Sequence, residues 1–188
     1  MAVNLPFNER KATEAAAYLL KLRGGRMSYM KLIKLLYLAD REALIGWGQP
    51  ISTDRYVSMK HGPVLSNVLD LINFGSLSEK AGSWSSMISN PSDNDVSLVR
   101  EISEEDFEEL SIAERKLLDE ICREYGALDE WTLVDRLHDV GEWRDPHGTS
   151  VPISFSEILR AGGRSEDFIA AVEGELSAVP FDREKMPR

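Results

Sequence analysis

Apolar residues recur at helical spacing along most of the chain. The first such run is Ala12, Ala15, Ala16 and Leu19, which the i, i+3, i+4, i+7 rule reads as one buried helix face. Asn8 is placed to cap this helix, Phe7 to staple it and Gly24-Gly25 to end it after about Leu22. Ser28 then caps a second helix running to about Ile45, stopped by Gly46 and Gly48. Leu32, Leu35, Leu36, Ala39 and Ala43 form its apolar stripe, and Tyr29, Ile33, Tyr37 and Leu44 carry that stripe around the cylinder. A helix apolar over so much of its circumference belongs at the centre of a fold. The pattern leaves Lys31, Lys34, Arg41 and Glu42, with Leu38 between them, for solvent.

Period-2 patterning appears next. Residues 54–60 read as a short strand carried by Tyr56, Val57 and Met59, Gly62 permits a sharp turn, and Pro63 suits the first position of a following helix. Leu65, Val68, Leu69 and Ile72 give that third helix its face. Residues 75–95 are rich in Ser, Gly, Asn and Asp, and two β-like runs, 84–89 and 96–100, flank Asn90-Pro91-Ser92-Asp93-Asn94 as a hairpin would. Capping-box spacing at Ser111 and Glu114 opens a helix to about Tyr125, another covers 129–138, and the box recurs at Ser154 and Glu157 for a short one to Arg160. Ser165 caps a last helix to about Leu176, and the end around Pro180 and Pro187 reads as frayed. The sum is an α-rich domain with a small antiparallel β element, in a winged-helix-like order: helix, helix, strand, helix, hairpin.

Composition narrows the class. With 43% hydrophobic residues in 188, the chain can bury one principal core. No apolar run approaches the ~20 residues of a membrane span and the amino terminus lacks a charged-then-apolar leader, so a cytoplasmic protein is expected. Cys122, the single cysteine, excludes an internal disulfide and reads as a small buried hydrophobe among Leu117, Leu118, Ile121 and Tyr125. Net charge is −10, yet residues 1–41 hold eight Lys or Arg against three acids, which puts −15 on the remainder. Most of such a surface repels duplex phosphates.

Candidate chemistry is sparse. His138 and His147 share a segment with Asp139, Glu142 and Asp145, but their spacing matches no established ligand pattern, and no metal or other cofactor is expected. Asp40 falls on the core side of the second helix, where a carboxylate needs a donor; Arg55, Lys60 and His61 are the cations the sequence offers. There is no Ser-His-Asp order, nucleophile elbow or phosphate-cradling glycine loop, so no catalysis is expected. Among Trp47, Tyr56, Trp84, Trp131 and Trp143, the two expected to be accessible are Trp47, in a glycine loop, and Trp84, beside the polar hairpin.

Three pieces recur in a familiar order over residues 31–72: Lys-Leu-x-Lys-Leu-Leu-Tyr-x-Ala-Asp from Lys31 to Asp40, the loop Gly46-Trp47-Gly48-Gln49-Pro50, and Tyr56-Val57-Ser58-Met59-Lys60-His61-Gly62-Pro63-Val64. Together they resemble the Panacea domain, the SocA-like antitoxin domain, which would cover residues 12–140 and leave 141–188 as a helical extension packed on or flanking it. The resemblance implies an antitoxin of a bacterial or phage toxin–antitoxin system. Such a protein neutralises a protein toxin by direct contact and, in the SocA-like kind, is a proteolytic adaptor presenting it to a Clp-type AAA+ protease. It supplies no catalytic positions. Asp40, Tyr56, Lys60, His61, Gly62 and Pro63 then belong to the structural motif. By position, toxin contact is expected at Lys31, Lys34, Arg41 and Trp47, with Trp84 as a further accessible anchor. The alternative is a winged-helix-like DNA-binding regulator. Against it, the would-be recognition helix, residues 64–74, has no Lys or Arg and contains Asp70, so a nucleic-acid partner is not expected.

Overall fold

A computed structural model describes residues 5–75 and 83–178. The expected frayed end around Pro180 and Pro187 lies outside the described residues. Helix α1 (Glu9–Leu22) starts where Asn8 Oδ1 accepts from Lys11 N at 3.0 Å. After strand β1 (Arg26–Ser28), helix α2 (Tyr29–Trp47) is capped by Ser28 and closed by Gly48 in the left-handed region. Residues 32–40 are buried without a break. The expected solvent strip on α2 is therefore absent over those turns, because α1, α5, α6, α7 and the sheet close around it.

Strands β2 (Tyr56–Met59) and β3 (Gly62–Leu65) form an antiparallel hairpin, and β5 (Val151–Ile153) adds to the other side of β2, giving the order β3-β2-β5. Lys60 and His61 make the turn, followed by Gly62 at φ 88°. A turn closed by a left-handed residue is a favoured hairpin connection, and glycine takes that conformation without strain. Pro63 thus sits in a strand and not at a helix start. Its missing N–H is tolerated because β3 is an edge strand. Helix α3 (Ser66–Phe74) follows, with Val68, Leu71 and Ile72 buried.

The expected hairpin over residues 84–100 forms only in part, around the turn at Asp93 and Asn94. Residues from Ser83 to Met87 form a short helix, α4, and β4 (Asp95–Ser97) pairs with β1. Antiparallel bridges, Ile88 with Leu98 and Ser92 with Asp95, and a bond from Ser97 N to Ser89 Oγ at 3.1 Å join the two segments that flank that turn. Met27 and Val96 are buried at the centre of the β1–β4 ribbon, which explains why β4 pairs there.

A 3-10 turn at Glu104–Asp106 leads to α5 (Ile112–Tyr125), α6 (Glu130–His138), α7 (Phe155–Ala161) and α8 (Glu166–Ser177). The capping boxes at Ser111/Glu114 and Ser154/Glu157 form as their spacing predicts. Glu14, buried within α1, accepts from the backbone N–H groups of Glu109 and Leu110, at 2.8 and 3.2 Å, and so fixes the approach to α5. No described helix is long and apolar enough to cross a membrane.

Leu36, 3% exposed, lies on the encased helix. Leu36→Asp should cost more than about 4 kcal/mol and abolish the cooperative urea transition followed by circular dichroism. A transition at the wild-type midpoint would contradict the central placement of α2.

Candidate functional site

Two ionisable side chains inside α2 must find partners within the fold. Lys34 is 1% exposed and donates from Nζ to the Pro63 carbonyl at 2.8 Å. No ion pair meets its charge among the described residues, and burial pushes the ammonium down to about 7. Asp40 accepts from Ile51 N at 3.1 Å, Ser52 N at 3.0 Å and Tyr56 Oη at 3.1 Å, and from the Ser52 hydroxyl. Burial pushes its carboxyl up to about 6, against the hydrogen bonds from Ser52 and Tyr56, which pull it down. The cationic partner expected from Arg55, Lys60 or His61 is not there. Neutral donors of the 51–52 turn take that place, since they reach the carboxylate without burying a second charge. Lys34 and Asp40 thus hold the β2–β3 hairpin near its turn and near its base.

The same helix carries a third polar knot. Tyr37 Oη and Arg41 Nε each donate to Glu142 Oε1 at 2.7 Å, and Arg41 Nη1 reaches Glu42 at 2.9 Å. Glu142 is 3% exposed and ties the segment after α6 to α2.

Above this framework the hairpin turn projects into solvent. His138 Nε2 lies 3.1 Å from the Lys60 carbonyl, Trp143 Nε1 donates to Met59 O at 3.1 Å, and Arg144 N donates to Ser58 Oγ at 3.2 Å. The His138 ring lies against Trp143, with centroids 4.2 Å apart. On the other side His61 meets Trp131 edge-on at 5.5 Å, and Trp131 remains 54% exposed. Lys60 and His61 are exposed, and Lys60 has no ion pair among the described residues. The result is a rigid apex of cationic and aromatic side chains on a backbone pinned from three elements.

The residues expected to contact a partner are not brought together. Lys34 faces inward, Arg41 is spent on Glu142 and Glu42, and Lys31 is half-buried, so the expected basic face does not exist as a surface. Trp84 is 1% exposed and not accessible, because α4 packs it against α1. Trp47 is 49% exposed, in agreement with its glycine loop. Trp131 is the residue the sequence reading passed over. Its signal was there: it lies well off the stripe of Leu133, Val134 and Leu137 that α6 buries. Among the described residues no three His, Cys, Asp or Glu side chains are grouped to hold a metal; His138 is engaged with Lys60, and His147 is exposed beside Asp145. A cleft of about 820 Å³ opens along the β2–β5 face between Leu5, Phe155 and Glu173. Its buried acid, Asp54, is committed to the start of α3, accepting from Asn67 N and Val68 N at 2.9 Å.

The sequence profile of the family described as "Antitoxin SocA-like, Panacea domain" matches residues 32–144. The chain belongs to this family. The matched stretch begins inside α2 and ends just after Trp143, so it contains all but the first turn of α2, the hairpin, α6 and every bond that pins the apex. No curated protein and no solved structure matches the chain.

Asp40 and Lys34 leave opposite pH signatures. A carboxyl raised from 3.8 to about 6 means the folded protein binds the proton more tightly than the unfolded chain, so its contribution falls as pH rises between those values. The stability of the wild type relative to Asp40→Asn should drop by about 3 kcal/mol across that window and stay flat above it. An amine lowered from 10.5 to about 7 does the reverse: wild type relative to Lys34→Met should gain stability as pH rises from about 7 to 10.5. Urea titrations at stepped pH check both, and parallel curves for wild type and variant would contradict the assignments.

Proposed function

We propose that the protein is the antitoxin of a toxin–antitoxin pair, that it works in the cytoplasm by binding its cognate protein toxin directly, and that it has no catalytic activity of its own. The observation that carries this reading is the family match over residues 32–144. The chemistry of the motif supports it. Lys34, Asp40 and Tyr56 are consumed in bonds that hold α2, the 51–52 turn and the hairpin together, as parts of a structural framework. Binding also suits the framework, since a turn fixed by several independent bonds loses little entropy when a partner orders against it.

A second role accompanies the first: the bound toxin is presented to a Clp-type AAA+ protease. A protein doing both needs two surfaces, one for each partner.

Co-expression with the product of the adjacent gene tests the reading. Expressed alone, that product should arrest growth; together with this chain, growth should return and the two should co-purify. Growth arrest that this chain does not relieve, with no complex, would refute it. The half-life of the neighbour in cells with and without the Clp protease separates the roles, delivery requiring that the neighbour turn over only when protease and this chain are both present.

A further inference from the structure

The three-stranded sheet offers partners no free strand edge. Its two edge strands, β3 and β5, each carry a proline, Pro63 and Pro152, and the Pro63 carbonyl is already taken by Lys34. Proline on an edge removes the N–H that strand addition needs. Recognition there has to run through side chains.

Resting on the antitoxin reading, we propose that the toxin docks on the apex formed by Lys60, His61 and Trp131, with Lys31 beside it, and that it meets this apex with an apolar patch bearing carboxylates. Trp131 is among the large apolar side chains left exposed in the described residues, and tryptophan is enriched among the anchors that dominate interface affinity. Lys60 and Lys31 have no ion pair among the described residues, whereas Lys11, Lys21, Arg10, Arg26, Arg41 and Arg100 are each paired with an acid of this chain. Asp129 and Glu130 lie near Lys31 without closing a pair, and Asp129 is spent as the cap of α6, accepting from Trp131 N and Thr132 N at 3.0 Å. The net charge of −10 disfavours an acidic partner over the protein as a whole, and cations that stand without an ion pair, Lys60 and Lys31 among them, are where such a partner is met favourably. The backbone under Lys60 is held by His138 and Trp143, and the turn at Gly62 leaves Lys34 Nζ only 3.2 Å from where a Cβ would stand. The apex is therefore set before the partner arrives.

The test is calorimetric titration of the purified adjacent-gene product into wild type, Trp131→Ala, Lys60→Glu and Trp47→Ala, at low and high salt, with circular dichroism confirming each fold. Trp131→Ala and Lys60→Glu should each weaken binding by about tenfold or more, the Lys60→Glu loss should shrink at high salt, and Trp47→Ala should bind as wild type does. If wild type binds while both apex variants stay within about twofold of it, or if Trp47→Ala is the variant that loses affinity, the apex is not the docking surface and the antitoxin reading stands. A homodimer in solution that Trp131→Ala dissociates would assign the apex to a second copy and overturn the proposal. No binding by wild type would overturn the proposal together with the reading beneath it.

Discussion

An α-helix enclosed on every side has to satisfy its polar side chains inside the protein, and α2 does so through the hairpin beside it. Over residues 32–40 no residue is more than 6% exposed, yet that stretch includes a lysine and an aspartate. Leaving either without a partner would cost several kcal/mol. The fold meets that demand with a carbonyl of β3 for Lys34, and with the 51–52 turn and the Tyr56 hydroxyl for Asp40. The same bonds that solvate the helix therefore position the hairpin, and neither element is placed correctly without the other.

That coupling explains how a domain with little exposed chemistry presents a defined surface. The hairpin turn is fixed from below by Lys34 and from its flank by His138 and Trp143, so Lys60 and His61 stand out from a framework and not from a loose loop. Residues beyond the family match contribute to the same architecture: β5 pairs with β2, and α7 packs on α2, where Gly162 lies so close to Ile45 that a Cβ would stand 2.6 Å from its side chain.

Helices were the legible part of the sequence. Asn8, Ser28, Ser111, Ser154 and Ser165 all cap the helices their positions predict, because a cap is a local bond between near neighbours. Long-range pairing was less legible. Strand β4 is three residues long and selects β1, nearly seventy residues earlier, over its polar neighbour because Met27 and Val96 bury together; strand β5 is equally short and carries a proline, so no period-2 pattern announces it.

At the candidate site, motif membership was readable and side-chain direction was not. Lys34 looked like a surface cation because lysine is rarely buried without an acid, and only the carbonyl brought by β3 makes its burial tolerable. Trp84 looked accessible because its neighbours in sequence are polar, while its neighbours in space belong to α1. Glu142 could not be matched to Tyr37 and Arg41 from sequence, since it lies 105 and 101 positions from them and meets them only in the folded chain.

On the proposed reading, the α2-supported hairpin turn is where this antitoxin-family domain meets its partner. Amide hydrogen exchange across the whole chain, with and without the purified adjacent-gene product, addresses it directly. Added protection concentrated in residues 59–63 and 129–133, with the interior of α2 slow to exchange in both states, is the predicted result. Protection that leaves those two segments unchanged and falls on α8 or on the β1–β4 ribbon would contradict it.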